Sequence, residues 1–141
     1  QGNIYVISNG DYGDTKSALQ IIDTDEDVVS KTLGEASYMC ISPQGDKLYY
    51  LNSVWSSSHF DSKVYDTTTE KVLDGNFIDE SVSFTGAPSS LSIDPQTGNI
   101  YIGSSLYLVI GEMHIISPST GKLIKRFSTG GLNPMGAYFI K

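Results

Sequence analysis

"ASYMCISPQGDKLYYLNS" fills residues 36–53, and its reading decides the fold. Small and apolar residues run up to a tight turn, "SPQGDK", and a second apolar run follows immediately. Apolar runs of four to eight residues bounded by Gly and Pro read as buried strands joined by a hairpin. The phrase returns as "APSSLSIDPQTGNIYIGS" at residues 87–104. Its second half also stands alone as "GNIYVIS" at residues 2–8, and its first half as "NPMGAYFIK" at residues 133–141.

Two more phrases recur between these copies. A β-rich run ends in a turn as "LQIIDT" (19–24), "SKVYDT" (62–67) and "MHIISP" (113–118). A short strand then follows as "VVSKTL" (28–33), "KVLDGNF" (71–77) and "KLIKRF" (122–127). Four short strands per unit at a spacing of roughly 45 residues is the pattern of propeller blades. With the small-residue strand named A, the chain reads B-C-D, A-B-C-D, A-B-C-D, A. Small residues suit A because blades crowd together near the ring axis. The strands alternate poorly, as in "YVIS", which fits sheets buried on both faces. No helical periodicity is sustained anywhere. The expectation is an all-β fold of three four-stranded antiparallel blades in one domain, with units at about 1–43, 44–95 and 96–141.

Gln1, Gly2 and Asn3 match the turns "PQGD" and "PQTGN", and Lys141 aligns with Pro43 and Pro95. This predicts an amino end trimmed inside a hairpin and a native carboxyl end, so that the chain is the carboxyl-terminal part of a larger ring. Rings have four to eight blades. Three blades therefore need a complement, either missing blades or a second copy paired head to tail.

Nine basic against sixteen acidic side chains give a net charge of −7, with one arginine, Arg126. A nucleic-acid partner needs a basic face to displace phosphate counterions, and the sequence has none to offer. Cys40 is the one cysteine, which excludes an intrachain disulfide and a thiolate cluster; within "SYMCIS" it reads as a small buried hydrophobe.

The A–B and C–D turns are short, and Asp23, Asp66 and Ser117 share one turn position where a short oxygen-bearing side chain bonds backbone amides. The B–C loops ("NGDYGDTKS", "SVWSSSHFDS", "SSLYLVIGE") and the second D–A loop ("NFIDESVSFTGAP", 76–88) are longer and differ between units. Both loop types leave a propeller on the same side, so that rim is the expected binding face. It carries Tyr12, Trp55, His59, Phe60, Phe84 and Tyr107, the candidate ligand-binding residues, with Trp55 foremost. Folding back to pin their own loops is the competing role for each. No HExxH, GxSxG, P-loop or GxGxxG motif occurs, so no catalytic residue, metal site or cofactor is expected. "DYGD" (11–14) with Asp61 is the one acidic group that would suit calcium if its loops converged, but its spacing is not that of an EF-hand.

The order "IYVIS…LQIIDT…VVSKTL…ASYMCISPQGDKLYYLNS" resembles the YVTN-type surface propeller repeat. With "IIDT", "SIDPQTGNIYI" and "GGLNPMGAYF" it is most similar to surface lipoprotein propellers of Gram-negative gut bacteria. The resemblance implies an outer-membrane-anchored parent at the cell surface or in the periplasm, and a role in nutrient uptake beside a transporter. Some such proteins capture cobalamin, but the matching motifs are scaffold motifs and carry over no site residue. Ser117 in place of the usual aspartate, and the short loop of "SLYLVIGEMHIISP", depart from the pattern. The leading expectation is a non-enzymatic envelope module that captures a small molecule, a glycan or an envelope protein. A protein-binding or adhesin-like scaffold is the second reading and a lactonase-type enzyme the third, with Tyr38, Cys40, Ser90, Ser92 and Tyr138 as its polar A-strand groups.

Overall fold

The computed structural model describes residues 3–11, 13–54 and 60–140. These form eleven strands: β1 (Ile4–Ser8), β2 (Ala18–Asp23), β3 (Val28–Gly34), β4 (Tyr38–Ile41), β5 (Lys47–Asn52), β6 (Asp61–Asp66), β7 (Lys71–Val72), β8 (Ala87–Ile93), β9 (Ile100–Ser105), β10 (Glu112–Ile116) and β11 (Leu123–Ser128). No described residue is helical. Every pairing is antiparallel between chain neighbours, giving sheets β1-β2-β3, β4-β5-β6-β7 and β8-β9-β10-β11. These are propeller blades, each a meander from inner to outer strand.

β5 shows why the sequence takes this form. Leu48, Tyr49, Tyr50 and Leu51 are all buried in consecutive order. Successive side chains of a strand point to opposite faces, so both faces of this sheet must be covered. Leu48 and Tyr50 join Leu19 and Ile21 of the first blade, with Tyr5 set edge-on to Tyr65 at 6.1 Å between centroids. Tyr49 and Leu51 face the other way and pack with Leu91, Ile100, Ile102 and Ile116 of the third blade. The core is therefore two interblade layers.

The turns close as the sequence indicates. Asp23 Oδ1 accepts from the amides of Asp25 and Glu26, and Asp66 Oδ1 from those of Thr68 and Thr69. In the third turn the Ser117 and Ser119 hydroxyls bond each other instead. All three C–D turns end in the left-handed region, at Asp27, Glu70 and Gly121. Only the third requires glycine for space as well, because a Cβ there would strike the Phe77 carbonyl.

Three expectations need correction. "KVLDGNF" yields only the two-residue β7; Leu73 N still donates to Val64 O and Phe77 N to Ser62 O, and then the backbone turns away. The long D–A loop does not stay on the rim: Phe77 lies edge-on to Tyr49 at 5.3 Å and Asp79 N donates to Gly121 O, so the loop wedges between the second and third blades. Finally, the described part of "NPMGAYFIK", residues 133–140, pairs as a strand with no described residue. Residues 133–140 run alongside β8, held by Ser89 Oγ donating to Pro134 O and by Ala137 N donating to Ser92 Oγ. The sheets thus divide the chain at the D–A loops, the first holding the strands B, C and D and the other two holding four strands each.

Leu51 and Ile102 are both fully buried in the layer between the second and third blades. Leu51→Ala and Ile102→Ala should each cost about 2–5 kcal/mol in urea denaturation. Exposed Lys125→Ala should stay within about 0.5 kcal/mol of the parent.

Candidate functional site

Small polar residues stand at the same repeat position where each B strand gives out: Asn9 just after β1, Ser53 just after β5 and Ser105 at the end of β9. Beside them the A strands begin, with Ser37 and Tyr38 before the second blade's hairpin and Ala87, Pro88 and Ser89 before the third's. Together with Gly10, Gly13, Thr15, Lys16 and Ser17 they line a cleft of about 730 Å³ where the three blades meet. A second cleft of about 510 Å³ shares Asn52 and Val54 with it and extends outward between Phe60, Asp61, Asn76, Ile78 and Phe84.

A hydrogen-bond chain crosses the larger cleft. Lys16 Nζ donates to Glu35 Oε1 at 2.7 Å, and Asn52 Nδ2 donates to Glu35 Oε2 at 3.3 Å. Ser37 Oγ donates to Asn52 Oδ1 at 3.4 Å and accepts from Ser53 N at 3.1 Å. Ser53 Oγ then donates to Pro88 O at 2.7 Å, reaching the third blade. The Lys16–Glu35 pair is solvent-exposed and contributes little to stability. What the chain does is fix the angle of three blade tops, leaving hydroxyl, amide and carbonyl groups around one opening. Burial pushes the Tyr38 phenol up, so it remains a hydrogen-bond donor at neutral pH.

The sequence-predicted residues divide. Phe60 and Phe84 stack edge to face at 5.1 Å and pack against the layer between the second and third blades, forming the apolar wall of the smaller cleft. Tyr107 is 69% exposed on the third B–C loop, within a run of exposed apolar residues from Leu106 to Ile110. Tyr12, Trp55 and His59 lie outside the described residues. Asp11, singled out with calcium in mind, spends its Oδ1 on the amides of Gly13 and Thr15, and those bonds hold its carboxyl below the usual range. Among the described residues no group of three or more His, Cys, Asp and Glu side chains could hold a metal ion.

Sequence reasoning passed over Asn9, Asn52, Ser53 and Ser105. Their signal was present: the residues ending each B strand, "SN", "NS" and "SS", are polar where the strand itself is apolar.

His114 stands apart. It is fully buried, lies 4.4 Å from the Phe84 ring between centroids, and neither ring nitrogen finds a hydrogen-bond partner among the described residues. Burial lowers its pKa; Glu112, 4.0 Å from Nε2, draws it back up, and Arg126 pushes it down again. Cys40 is similarly inert, its thiol pushed up to about 12 by burial.

No protein-family model matches the chain, and no curated protein matches it. Among solved structures it is similar to Kuenenia stuttgartiensis hydrazine synthase, with a TM-score of 0.68 and 18% sequence identity over 91% of this chain. The match spans 34% of that protein's chain, about a third of its length. At this identity the likeness carries the fold alone.

The histidine gives a pH test with a definite sign. The unfolded chain takes up a proton near pH 6.5, while folded His114 resists it. Stability should therefore be flat in this group's contribution above pH 6.5 and fall as the pH drops below it. Comparing urea midpoints of the parent and His114→Phe from pH 7.5 to 5 checks this. The variant should lose part of the acid-side slope.

Proposed function

We propose that the chain is a non-enzymatic binding module whose ligand sits in the cleft where the three blade tops meet. One observation carries this reading: equivalent polar residues at the three B-strand ends, Asn9, Ser53 and Ser105, converge on a single opening of about 730 Å³, a size that suits a small molecule. Uncharged hydroxyls, amides and carbonyls dominate the lining, with Tyr38 as its aromatic surface. That chemistry favours a neutral, polyhydroxylated or amide-bearing ligand such as a glycan over an anion. A net charge of −7 works in the same direction. Placement in the envelope of a Gram-negative bacterium, at the surface or in the periplasm, and a part in nutrient uptake follow from the sequence resemblance to surface lipoprotein propellers. Cobalamin rests on that resemblance alone.

A second reading, a protein-binding scaffold, is favoured by one feature. Residues 106–110, Leu-Tyr-Leu-Val-Ile, are all exposed on the third B–C loop, and contiguous exposed apolar residues mark contact surfaces. The two readings separate by experiment. In a thermal-shift panel of neutral oligosaccharides and corrinoids, a ligand of the cleft should raise the melting temperature through linkage. Asn9→Trp, which fills the cleft from an exposed position, should weaken that ligand at least tenfold, whereas Leu108→Asp should leave it unchanged. Loss of binding with Leu108→Asp and not with Asn9→Trp would move the site to the loop.

A further inference from the structure

The smaller cleft, of about 510 Å³, differs in chemistry from the larger one beside it. Every residue lining it falls between Asn52 and Phe84, so it is built from the second blade and the loop that leads to the third. Part of the lining is apolar: Phe60 and Phe84 meet edge to face at 5.1 Å, and Ile78 and Val82 extend the same wall. Phe84 is held between Phe60 and the fully buried His114 ring, 4.4 Å away between centroids. The rest of the lining includes the carboxylates of Asp61, Asp79 and Glu80, with no lysine, arginine or histidine.

The loop wall is tied down by its own hydrogen bonds. Asn76 Oδ1 accepts from Ser62 N at 3.1 Å, Ile78 N donates to Ser62 Oγ at 3.3 Å, and Val82 N donates to Asp79 O at 3.0 Å. A preformed site loses little affinity to ordering on binding. Asp79 is already engaged, since the Ser81 hydroxyl and amide, helped by Lys122, hold its carboxyl below the usual range. The carboxylates of Asp61 and Glu80 have no hydrogen bond or ion pair among the described residues. Lys63, the lysine nearest Asp61 in sequence, donates to Gly75 O instead. Because no three acidic, histidine or cysteine side chains among the described residues could hold a metal ion, these carboxylates suit a cation that brings a body of its own.

We propose that the smaller cleft is a second binding site, and that it takes an organic cation in which an ammonium group is carried on an aryl arm. The arm lies against Phe60 and Phe84, where a third ring finds edge-on or offset contact. The ammonium group lies toward Asp61 and Glu80, whose charges it meets without competition from a protein cation in the lining. The volume is that of a small-molecule pocket. A bare inorganic cation would leave the aromatic wall in water, and an aryl anion would meet charge of its own sign. This site stands apart from the neutral ligand of the larger cleft and does not depend on it.

An NMR titration at low salt with 2-phenylethylammonium should show saturable binding. The same arm ending in a neutral or an anionic group, as 2-phenylethanol or 3-phenylpropionate, should bind at least about tenfold more weakly. Asp61→Asn combined with Glu80→Gln, both at exposed positions, should weaken the ammonium at least about tenfold and leave the urea midpoint unchanged. Asp25→Asn with Glu26→Gln removes the same charge from the first C–D turn and should leave its affinity unchanged. Asn9→Trp, which fills the larger cleft, should also leave it unchanged, so that failure of one site is distinguishable from failure of the other. The proposal is overturned by the absence of saturable binding up to about 10 mM, or by equal affinity for the ammonium and the alcohol. Equal losses in the two charge-removing pairs, or loss of binding with Asn9→Trp, would overturn it too.

Discussion

Everything in this molecule depends on sheets that must be covered on both faces. Leu48 and Tyr50 look back to the first blade while Tyr49 and Leu51 look forward to the third, so the second blade has no solvent face of its own. Each blade is too thin to enclose a core, and the apolar layers lie between blades. Stability is then a sum over neighbour contacts along the row, as in other repeat architectures. The wedge formed by residues 76–86 belongs to the same logic, since Phe77, Ile78, Val82 and Phe84 thicken the outer part of one such layer.

Tight interblade packing leaves the turns and loop ends as the places where polar chemistry can sit. Much of the negative charge is used structurally. Asp66 and Asp94 each bind amides and hydroxyls of their own turns, and those bonds hold the carboxyls below their usual range. These side chains brace hairpins and are not gathered at a site. The cleft at the blade tops is assembled instead from residues that merely end strands. It is held open by a hydrogen-bond chain running from Lys16 to Pro88.

How far the primary structure could be read differs by element. The hairpins were legible because a turn's chemistry is local: Gly45 and Gly98 take positive φ in the A–B turns, and Asp23 and Asp66 close the first two C–D turns. The cleft was partly legible, in the polar residues ending each B strand. The paths of the long loop and of residues 133–140 were not. Both carry apolar residues that would suit either a rim or a layer, and which one they join depends on the neighbouring blade. Phe60 and Phe84 illustrate this, being aromatics in polar loops that turn inward because an apolar gap between blades lies within reach.

By itself the sequence determined the strand repeat, the turn types and the two-sided burial that makes blades. All three follow from interactions within a few residues or from a period visible along the chain. Only the tertiary structure decided that Asn9, Ser53 and Ser105 converge and that His114 is sealed against Phe84. Those outcomes depend on how consecutive blades are rotated about a common axis. That rotation is set by side-chain packing between residues of different blades, far apart in the sequence, which no local pattern encodes.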